Sequence, residues 1–376
     1  MKKKFLLLIA LVFVCGSTLY AQDSEQVIES EKGNLAISGY VDAYYQYNFN
    51  DPESGVNKGR VFDLHHNQFS LGLVQAMFTY TKGRLTGVAD LTVGPNADLA
   101  NFGNEGTARL IKQAYISYAI SDKVGFTVGQ YGTHIGYELI DAPLNFNYSL
   151  SYLFGNGPFY HTGAKFDFAL SESVGLMVGV VNGWDALVDY NEKKSITAQF
   201  SVAPSDEFSL YLNWIGGDEY DVRSPAGNSF FGSTEDSFTS LFDLTTSYQA
   251  SDAFLIGLNA AYGSFKSGAD TPVDGDPYSD DVTWGGAALY LNYATSETFA
   301  LGFRGEYFSD PDGVRYSGPL EVTAFTFTGD IKLADGSFMI KPEIRMDFAK
   351  DEFFEKGDDD TSKSQVTAGA AFIYAF

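Results

Sequence analysis

The sequence predicts an all-β fold, a transmembrane antiparallel β-barrel of about 16 strands with short periplasmic turns and long extracellular loops. Segments of about ten residues alternate apolar and polar side chains, and the connections between them are alternately short and long. Aromatic residues, mostly Phe (32) and Tyr (24), make up 16% of the chain, and there are 39 Gly. The mean hydropathy is nevertheless only −0.10, so the apolar residues are interspersed with polar ones. After the N-terminus, no apolar run approaches the roughly 20 residues that a membrane-spanning helix needs.

Residues 1–21 are predicted to be a secretory signal peptide. Lys2 to Lys4 form its positive region, 5–14 its apolar region, and we expect cleavage after Ala21. Cys15 is interpreted as part of the leader and not as a lipidated cysteine, because Val14 is too bulky to precede one. The mature chain would then have no cysteine for a disulfide or a thiol nucleophile.

Charge excludes one class of partner. Loss of the three leader lysines leaves 21 Lys and Arg against 48 Asp and Glu, a formal charge of −27. Nucleic acid is therefore not an expected partner, because neutralising phosphates needs a basic surface.

The remaining chain divides into a short polar periplasmic segment, residues 22–33, and the barrel, residues 34–376. The segment is far too short to be a plug domain. Ser, Asp and Gly dominate seven short turns, at 81–84, 121–123, 171–173, 204–206, 251–253, 295–297 and 334–336. Eight longer, more polar connections alternate with them, at about 50–66, 94–110, 133–159, 185–194, 216–237, 264–282, 309–319 and 350–363. This pattern gives 16 strands with both termini on the turn side.

The charged residues test this prediction, because strand side chains alternate between two faces. In the segment 338–348 all the charges share one face, and apolar residues share the other. Turning that face to lipid would cost about 2–4 kcal/mol for each Arg or Lys, so the register is strongly specified. The segment 298–307 follows the same rule. Pro342 lacks a backbone N–H, and we expect a local irregularity there.

A soluble β-sandwich is the alternative fold. It would also alternate apolar and polar residues, but it would seldom have 16 strands joined by alternately short and long connections. The barrel is therefore favoured.

The final strand, 365–376, ends the chain on an aromatic residue. Its outward face carries Phe372, Tyr374 and Phe376, which we expect at the turn-side aromatic girdle and in contact with membrane lipids. These three residues resemble the assembly signal that the barrel assembly machinery recognises. We expect this strand to pair with 35–49 and close the barrel.

Loop 133–160 is the most unusual connection. It is too long and too rich in Phe, Tyr and Leu to be a freely solvated connection. We expect it to fold into the lumen as a pore constriction, with Glu138 and Asp141 shaping the electric field. The alternative is a loop packed over the rim.

Inward charges on the strands are the second candidate set, because opposed charges across a pore orient polar solutes. The alternative is that they pair with one another. The pore-lining candidates are Asp90, Lys112, Lys165, Asp167, Arg304, Glu306, Lys341, Glu343, Arg345 and Asp347.

No motif indicates an enzyme, a cofactor or a metal. The four histidines, His65, His66, His134 and His161, match no ligand spacing. The acidic loops lack the ordered calcium pattern, and no nucleophile or phosphate-binding motif is present.

Motifs in the first half resemble one family of outer-membrane proteins, the β-barrel porin-2, or OmpL-like, family. The family's elements fall in order on Gly136 and Glu138, on Asn145 to Ser149, on Pro158 to Gly163 and on Val181 to Trp184. The resemblance is dense from Gly39 to about Lys193 and covers only the general barrel pattern afterwards. It implies a pore in a Gram-negative outer membrane, and it supplies no ligand residues.

The expected function is therefore a porin that passes small hydrophilic solutes or ions passively. Two alternatives stay open, a surface receptor, adhesin or structural barrel without an open pore, and a barrel enzyme. Many 16-stranded porins form trimers, so a homotrimer is one alternative for the assembly.

Overall fold

Sixteen strands close into one antiparallel barrel in the computed structural model, which describes residues 32–189, 191–219, 237–267, 281–316 and 318–376. The predicted fold class is thus confirmed. The predicted signal peptide, residues 22–31, and most of the loops 216–237 and 264–282 lie outside the described residues. The barrel strands are β1 (Asn34–Asn48), β2 (Gln68–Lys82), β3 (Leu85–Val93), β4 (Ile111–Ser121), β5 (Val124–Gly132), β6 (Tyr160–Ala169), β7 (Val174–Val181), β8 (Ser195–Ser205), β9 (Phe208–Gly217), β10 (Phe238–Ser251), β11 (Phe254–Lys266), β12 (Val282–Ala294), β13 (Phe299–Asp310), β14 (Leu320–Leu333), β15 (Phe338–Ala349) and β18 (Ser364–Ala375).

Each barrel strand pairs with its neighbours in sequence, and the first pairs with the last. β1 and β18 are in register from Tyr40 opposite Ala375 to Asn48 opposite Thr367. A small separate hairpin, β16 (Phe354–Lys356) and β17 (Asp360–Ser362), lies in the final long connection. Closure leaves the barrel without an unpaired strand edge.

Helices are short in this fold. Among the described residues the α-helices are α1 (Pro95–Ala100) and α2 (Tyr152–Gly155), and 3-10 helices lie at Gly106–Leu110, Ala142–Leu144 and Ala334–Gly336. The hydroxyl of Ser151 caps α2 by accepting a hydrogen bond from the Phe154 amide at 3.0 Å. In the part of the chain that the structure describes, no helix is long and apolar enough to cross a membrane.

Strand β15 has the predicted faces. Ile344 and Phe348 are exposed on the outside, and Lys341, Glu343 and Arg345 are buried inside. The irregularity expected at Pro342 is found on one side of the strand: the ladder with β14 is interrupted at Pro342 and Lys341 and resumes at Ile340 in the same register, whereas the ladder with β18 continues through Pro342. Gly329 lies opposite Pro342 on β14 and leaves room for the ring.

Register shifts occur elsewhere in the barrel. Two lie within the wall, at Val41/Ala43 between β1 and β2 and at Asp90/Leu91 between β3 and β4, and three more lie next to short turns, at Ala119/Ser121, Val202/Ser205 and Gln249/Ser251. Bulges of this kind bend a strand and redirect its side chains.

Deleting Phe376 should lower the yield of folded barrel. The Phe376 amide donates to the Gly39 carbonyl at 3.0 Å, and the Gly39 amide donates back at 3.1 Å, so the deletion removes the last backbone pair of the closing seam. The yield can be measured as the heat-sensitive mobility shift on gels. Phe376→Tyr, which keeps an aromatic terminus, is the matched control, and a normal yield from the deletion would contradict the prediction.

Candidate pore constriction

Loop 133–160 leaves β5 and runs across the inside of the barrel. The Gly136 amide donates to Asp243 of β10 at 3.0 Å, and Tyr137 stacks on Tyr290 of β12 with ring centroids 4.4 Å apart. Farther along, the Asn147 side chain donates to the Thr328 hydroxyl of β14 at 2.8 Å. These contacts are with inward residues of the strands, so the loop lies within the lumen and not over the rim.

Carboxylates of the barrel wall bind the backbone amides of this loop. Glu343 accepts from the amides of Tyr148 and Ser149 at 2.8 and 3.1 Å, and Glu306 accepts from the Tyr152 amide at 2.8 Å. A loop inside a barrel needs such partners, because an unpaired buried amide is costly.

Cations of the wall bind the loop's carbonyl groups in the same way. Arg304 donates to the Ser149 carbonyl at 2.5 Å, and Arg345 donates to the Leu150 carbonyl at 2.6 Å. Lys341 donates to the Asn145 carbonyl. The inward charges of β13 and β15 thus hold the loop by its backbone.

These groups also form a continuous series of buried ion pairs, which we call the ion-pair chain. Its seven side chains, in order of contact, are Glu138, Arg304, Glu306, Arg345, Asp347, Arg60 and Asp63. Arg304 lies 2.6 Å from Glu138 and 3.4 Å from Glu306, and none of the seven side chains is more than 4% exposed.

Arg60 belongs to loop 50–66, so a second loop also enters the lumen. Arg60 lies 2.6 Å from Asp347 of β15, and the Tyr44 hydroxyl donates to the Phe62 carbonyl at 3.3 Å. An interior position for this loop was not among the expectations from sequence. Its apolar run around Phe62 is the signal that points there.

Asp141 differs from Glu138 in its ion-pair partner and in its exposure to solvent. The two oxygens of its carboxylate lie 2.5 and 2.6 Å from the Lys112 ammonium, and Gln75 donates to it at 3.0 Å. Lys112 also lies 3.5 Å from Asp90, which is fully buried. The Asp141 side chain remains 18% exposed, whereas that of Glu138 is 4% exposed. Of the two predicted constriction residues, Asp141 is the one in contact with water.

The loop-side half of the lumen contains a packed apolar cluster. Tyr152 is buried against Phe308, and Trp184 and Trp284 meet edge to face at 6.3 Å. The Arg315 guanidinium lies 5.2 Å from the centre of the Trp284 ring. Aromatic side chains from the strands and from several long connections therefore meet where an open pore would have water.

The turn-side half of the lumen is more exposed to solvent than the loop-side half. Lys165 and Asp167 of β6 are 3.4 Å apart and 15% and 30% exposed. Asp330 and Lys332 of β14 are 3.7 Å apart and 13% and 31% exposed. These two strands lie eight positions apart in the 16-strand order, on opposite walls. Two facing ion pairs thus line a vestibule open to the turn side.

The predicted pore-lining charges divide accordingly. Lys165 and Asp167 line the vestibule, and the others are buried beneath the inserted loops, namely Asp90, Lys112, Arg304, Glu306, Lys341, Glu343, Arg345 and Asp347. Asp42 and Asp243, which the sequence analysis did not single out, also bind loop 133–160. Both are isolated acids on inward positions of otherwise uncharged strands, which is the signal that could have found them.

The histidines are not members of the ion-pair chain. His134 and His161 have ring centroids 5.5 Å apart, and each contacts a threonine hydroxyl. His65 and His66 lie at the end of loop 50–66. Within the described ranges, no group of three or more His, Cys, Asp and Glu side chains is placed to hold a metal ion.

Two carboxyl groups should make the end of loop 133–160 pH-dependent. Asp185 accepts from the amides of Phe159 and Tyr160 at 2.6 and 3.0 Å, and Glu219 accepts from the Trp184 amide at 2.9 Å. Burial raises the pKa of each carboxyl to about 7, although Arg315 opposes the shift at Asp185, and Asp218 adds to it at Glu219.

The folded loops therefore bind these protons more tightly than the unfolded chain does. Their packing is most stable below the unfolded pKa values, loses stability as pH rises toward 7, and levels off above that. Amide exchange of Phe159 and Tyr160, corrected for intrinsic rates, should show more protection at pH 5 than at pH 8. Asp185→Asn should flatten the difference, and equal protection at both pH values would contradict it.

Comparison with known proteins bears on the whole barrel. A family model described as "Putative beta-barrel porin-2, OmpL-like" matches residues 34–376. No protein with a curated description matches the chain.

Solved structures share the architecture. OmpT of Vibrio cholerae is 11% identical with a TM-score of 0.57, over 93% of this chain and 100% of that one. The outer membrane channel DcaP of Acinetobacter baumannii is 13% identical with a TM-score of 0.58, over 93% and 99%. A mutant of the Rh. blastica porin is 16% identical with a TM-score of 0.52, over 91% and 100%. At these identities the likeness shows the fold.

Proposed function

The chain belongs to the family of outer-membrane β-barrel porins described as porin-2, OmpL-like, and on that premise we propose how its channel works. We infer a water-filled path for passive diffusion of small hydrophilic solutes or ions, constricted by loop 133–160, and no enzymatic reaction. The barrel lies in the outer membrane. A 16-stranded barrel is wide enough for an aqueous lumen.

The observation that supports the constriction is the position of Asp141. Its carboxylate is 18% exposed inside the barrel and is paired with Lys112 on the wall at 2.5 Å. Any solute that passes between the loop and this wall meets that ion pair. Glu138, deep in the ion-pair chain, acts in this proposal by holding the loop in place.

A second candidate function rests on the apolar cluster of the loop-side half. Tyr152, Trp284 and Phe308 are packed as in a protein core and leave little room for water. A lumen that stays closed there favours a surface receptor, adhesin or structural barrel. A channel requires at least one inserted loop to move.

Planar-bilayer conductance separates the two candidates. The chain's excess of acidic residues favours a mild preference for cations. In a salt gradient, we expect step conductance and a reversal potential of the sign for cation selectivity. A reversal potential of the opposite sign would contradict the selectivity, and absence of conductance from correctly folded protein would favour the closed barrel. Uptake of uncharged sugars of increasing size by proteoliposomes should give the size limit.

Processing and partners complete the proposal. We infer that residues 1–21 direct export and that the short turns face the periplasm. Membrane lipids contact the outward face, and the barrel assembly machinery recognises the last strand through Phe372, Tyr374 and Phe376. We propose a homotrimer, as in many 16-stranded porins, and chemical cross-linking in native membranes should show a threefold mass.

A further inference from the structure

A carboxylate-binding site lies on the wall between β2 and β4, and loop 133–160 occupies it. Lys112 holds both oxygens of the Asp141 carboxylate, at 2.5 and 2.6 Å, and the Gln75 side-chain amide donates to one of them at 3.0 Å. Asp90 lies behind Lys112 at 3.5 Å and is itself bound by the amides of Gln75 and Gln113 at 3.0 and 3.1 Å. The wall thus presents an oriented ammonium and an oriented amide to one carboxylate.

The part of the loop that carries this carboxylate makes fewer polar contacts with the wall than the part that follows it. Among the described contacts of residues 139–144 with the wall, the hydrogen bonds are those of Asp141 and one from the Tyr40 hydroxyl to the Ile140 carbonyl at 3.4 Å, and Ala142 is buried in a cluster with Tyr40 and Ile373. Residues 145–152, by contrast, are bonded to charged groups on β1, β13 and β15. Residues 139–144 therefore depend on the Asp141 contacts for most of their polar attachment to the wall, and the rest of their attachment is the apolar packing of Ala142.

Water reaches this section. The Asp141 side chain is 18% exposed, and the neighbouring Ile140, Pro143 and Leu144 are only partly buried. Asp141 is thus the more exposed member of the pair, and Lys112, at 7%, becomes reachable by a solute carboxylate once Asp141 has left it.

We propose that the Asp141 carboxylate occupies a binding site for an anionic solute, and that a solute carboxylate displaces it from Lys112 and Gln75. This inference rests on the proposed channel and adds small carboxylates as a solute class that this one site admits, although the acidic excess of the chain as a whole favours cations. The exchange replaces one carboxylate by another, so the charge of the site is unchanged and the buried Asp90 stays compensated. Release of Asp141 frees residues 139–144 from β2 and β4, which widens the passage along that wall.

The test follows the loop itself, independently of conductance. A spin label is attached at Leu144→Cys, in a background where Cys15, the single native cysteine, is replaced by serine. The labelled protein in lipid vesicles is titrated with succinate, with uncharged succinamide and with sodium chloride of equal ionic strength. We expect succinate to raise the mobile fraction of the label about twofold or more, because a solute that binds only the displaced state shifts the population toward it. The other two solutes should leave the fraction unchanged.

Variants identify the site. Asp141→Asn should give a mobile label without succinate and no further response, and Lys112→Gln should also lose the response. Lys112→Arg, which keeps a cation, should retain it, and a label at Glu172→Cys in a short turn should respond in none of the proteins. Each variant is first checked for the heat-sensitive mobility of a folded barrel. An immobile label in succinate, or an equal response to chloride, would overturn the proposal.

The outcomes also separate this proposal from the channel itself. Conductance with a label that ignores succinate would remove the carboxylate site and leave the channel. A succinate response without conductance would leave the site and remove the channel.

Discussion

Replacing Arg304 by methionine should lower the free energy of unfolding by about 3–5 kcal/mol, the range for breaking a buried ion pair by removing one partner. Arg304 is fully buried between Glu138 and Glu306 and also binds the Ser149 carbonyl. The substitution keeps much of the side-chain volume but leaves two carboxylates and a carbonyl without their shared donor.

The matched control is Arg84→Met in a short turn. Arg84 is 53% exposed, and its partner Asp122 is 95% exposed, so the same change there should cost about 0–1 kcal/mol. Chemical unfolding in detergent micelles, followed by near-ultraviolet circular dichroism, measures both values. Equal losses at the two sites would mean that the ion-pair chain does not stabilise the inserted loops.

Replacing Ile344 by lysine should cost about 2–4 kcal/mol, because the new charge would face lipid near the middle of the membrane. Ile344 lies halfway along β15 on the outward face and is 44% exposed. Its neighbours Glu343 and Arg345 point into the lumen, so the charged face of this strand is the inner one and Ile344 lies on the outer face.

The control for this substitution lies on the same strand. Phe338 faces outward at the turn-side end of β15, where a lysine reaches the interface and should cost only about 0–1 kcal/mol. Unfolding in phospholipid vesicles, followed by tryptophan fluorescence, compares the two. A cost that does not depend on position along the strand would contradict the assignment of the outward face to lipid.

The alternation of β15 explains why the barrel could be predicted from sequence. Four charges on one face and apolar residues on the other leave only one register that keeps charge out of lipid, and each strand carries this information locally. The same reasoning identified Arg304, Glu306, Arg345 and Asp347 as inward residues.

The partners of those residues could not be predicted in the same way. Arg304 binds Glu138, which is 166 residues away and on a loop with no periodicity to fix its position. Arg60 lies in a connection that is mostly polar in composition. The apolar residues around Phe62 could indicate that the connection packs inside the lumen, but nothing in the sequence indicates that Arg60 reaches Asp347. Aromatic content predicted that loop 133–160 would pack against something, but it could not predict which carboxylates would bind its amides.

The pairing of Arg60 with Asp347 also sets an order of events during assembly. The two residues are 287 positions apart, one beside the first hairpin of the barrel and the other beside the last. Contacts so distant in the chain form late, because the ends must first be brought together. Loop 50–66 can therefore take its final position only once β1 and β18 have met. Until then we expect water to fill the interior of the nascent barrel beside loop 50–66. The ion pair of Arg60 with Asp347, which holds that loop against β15, is expected to be among the last to form.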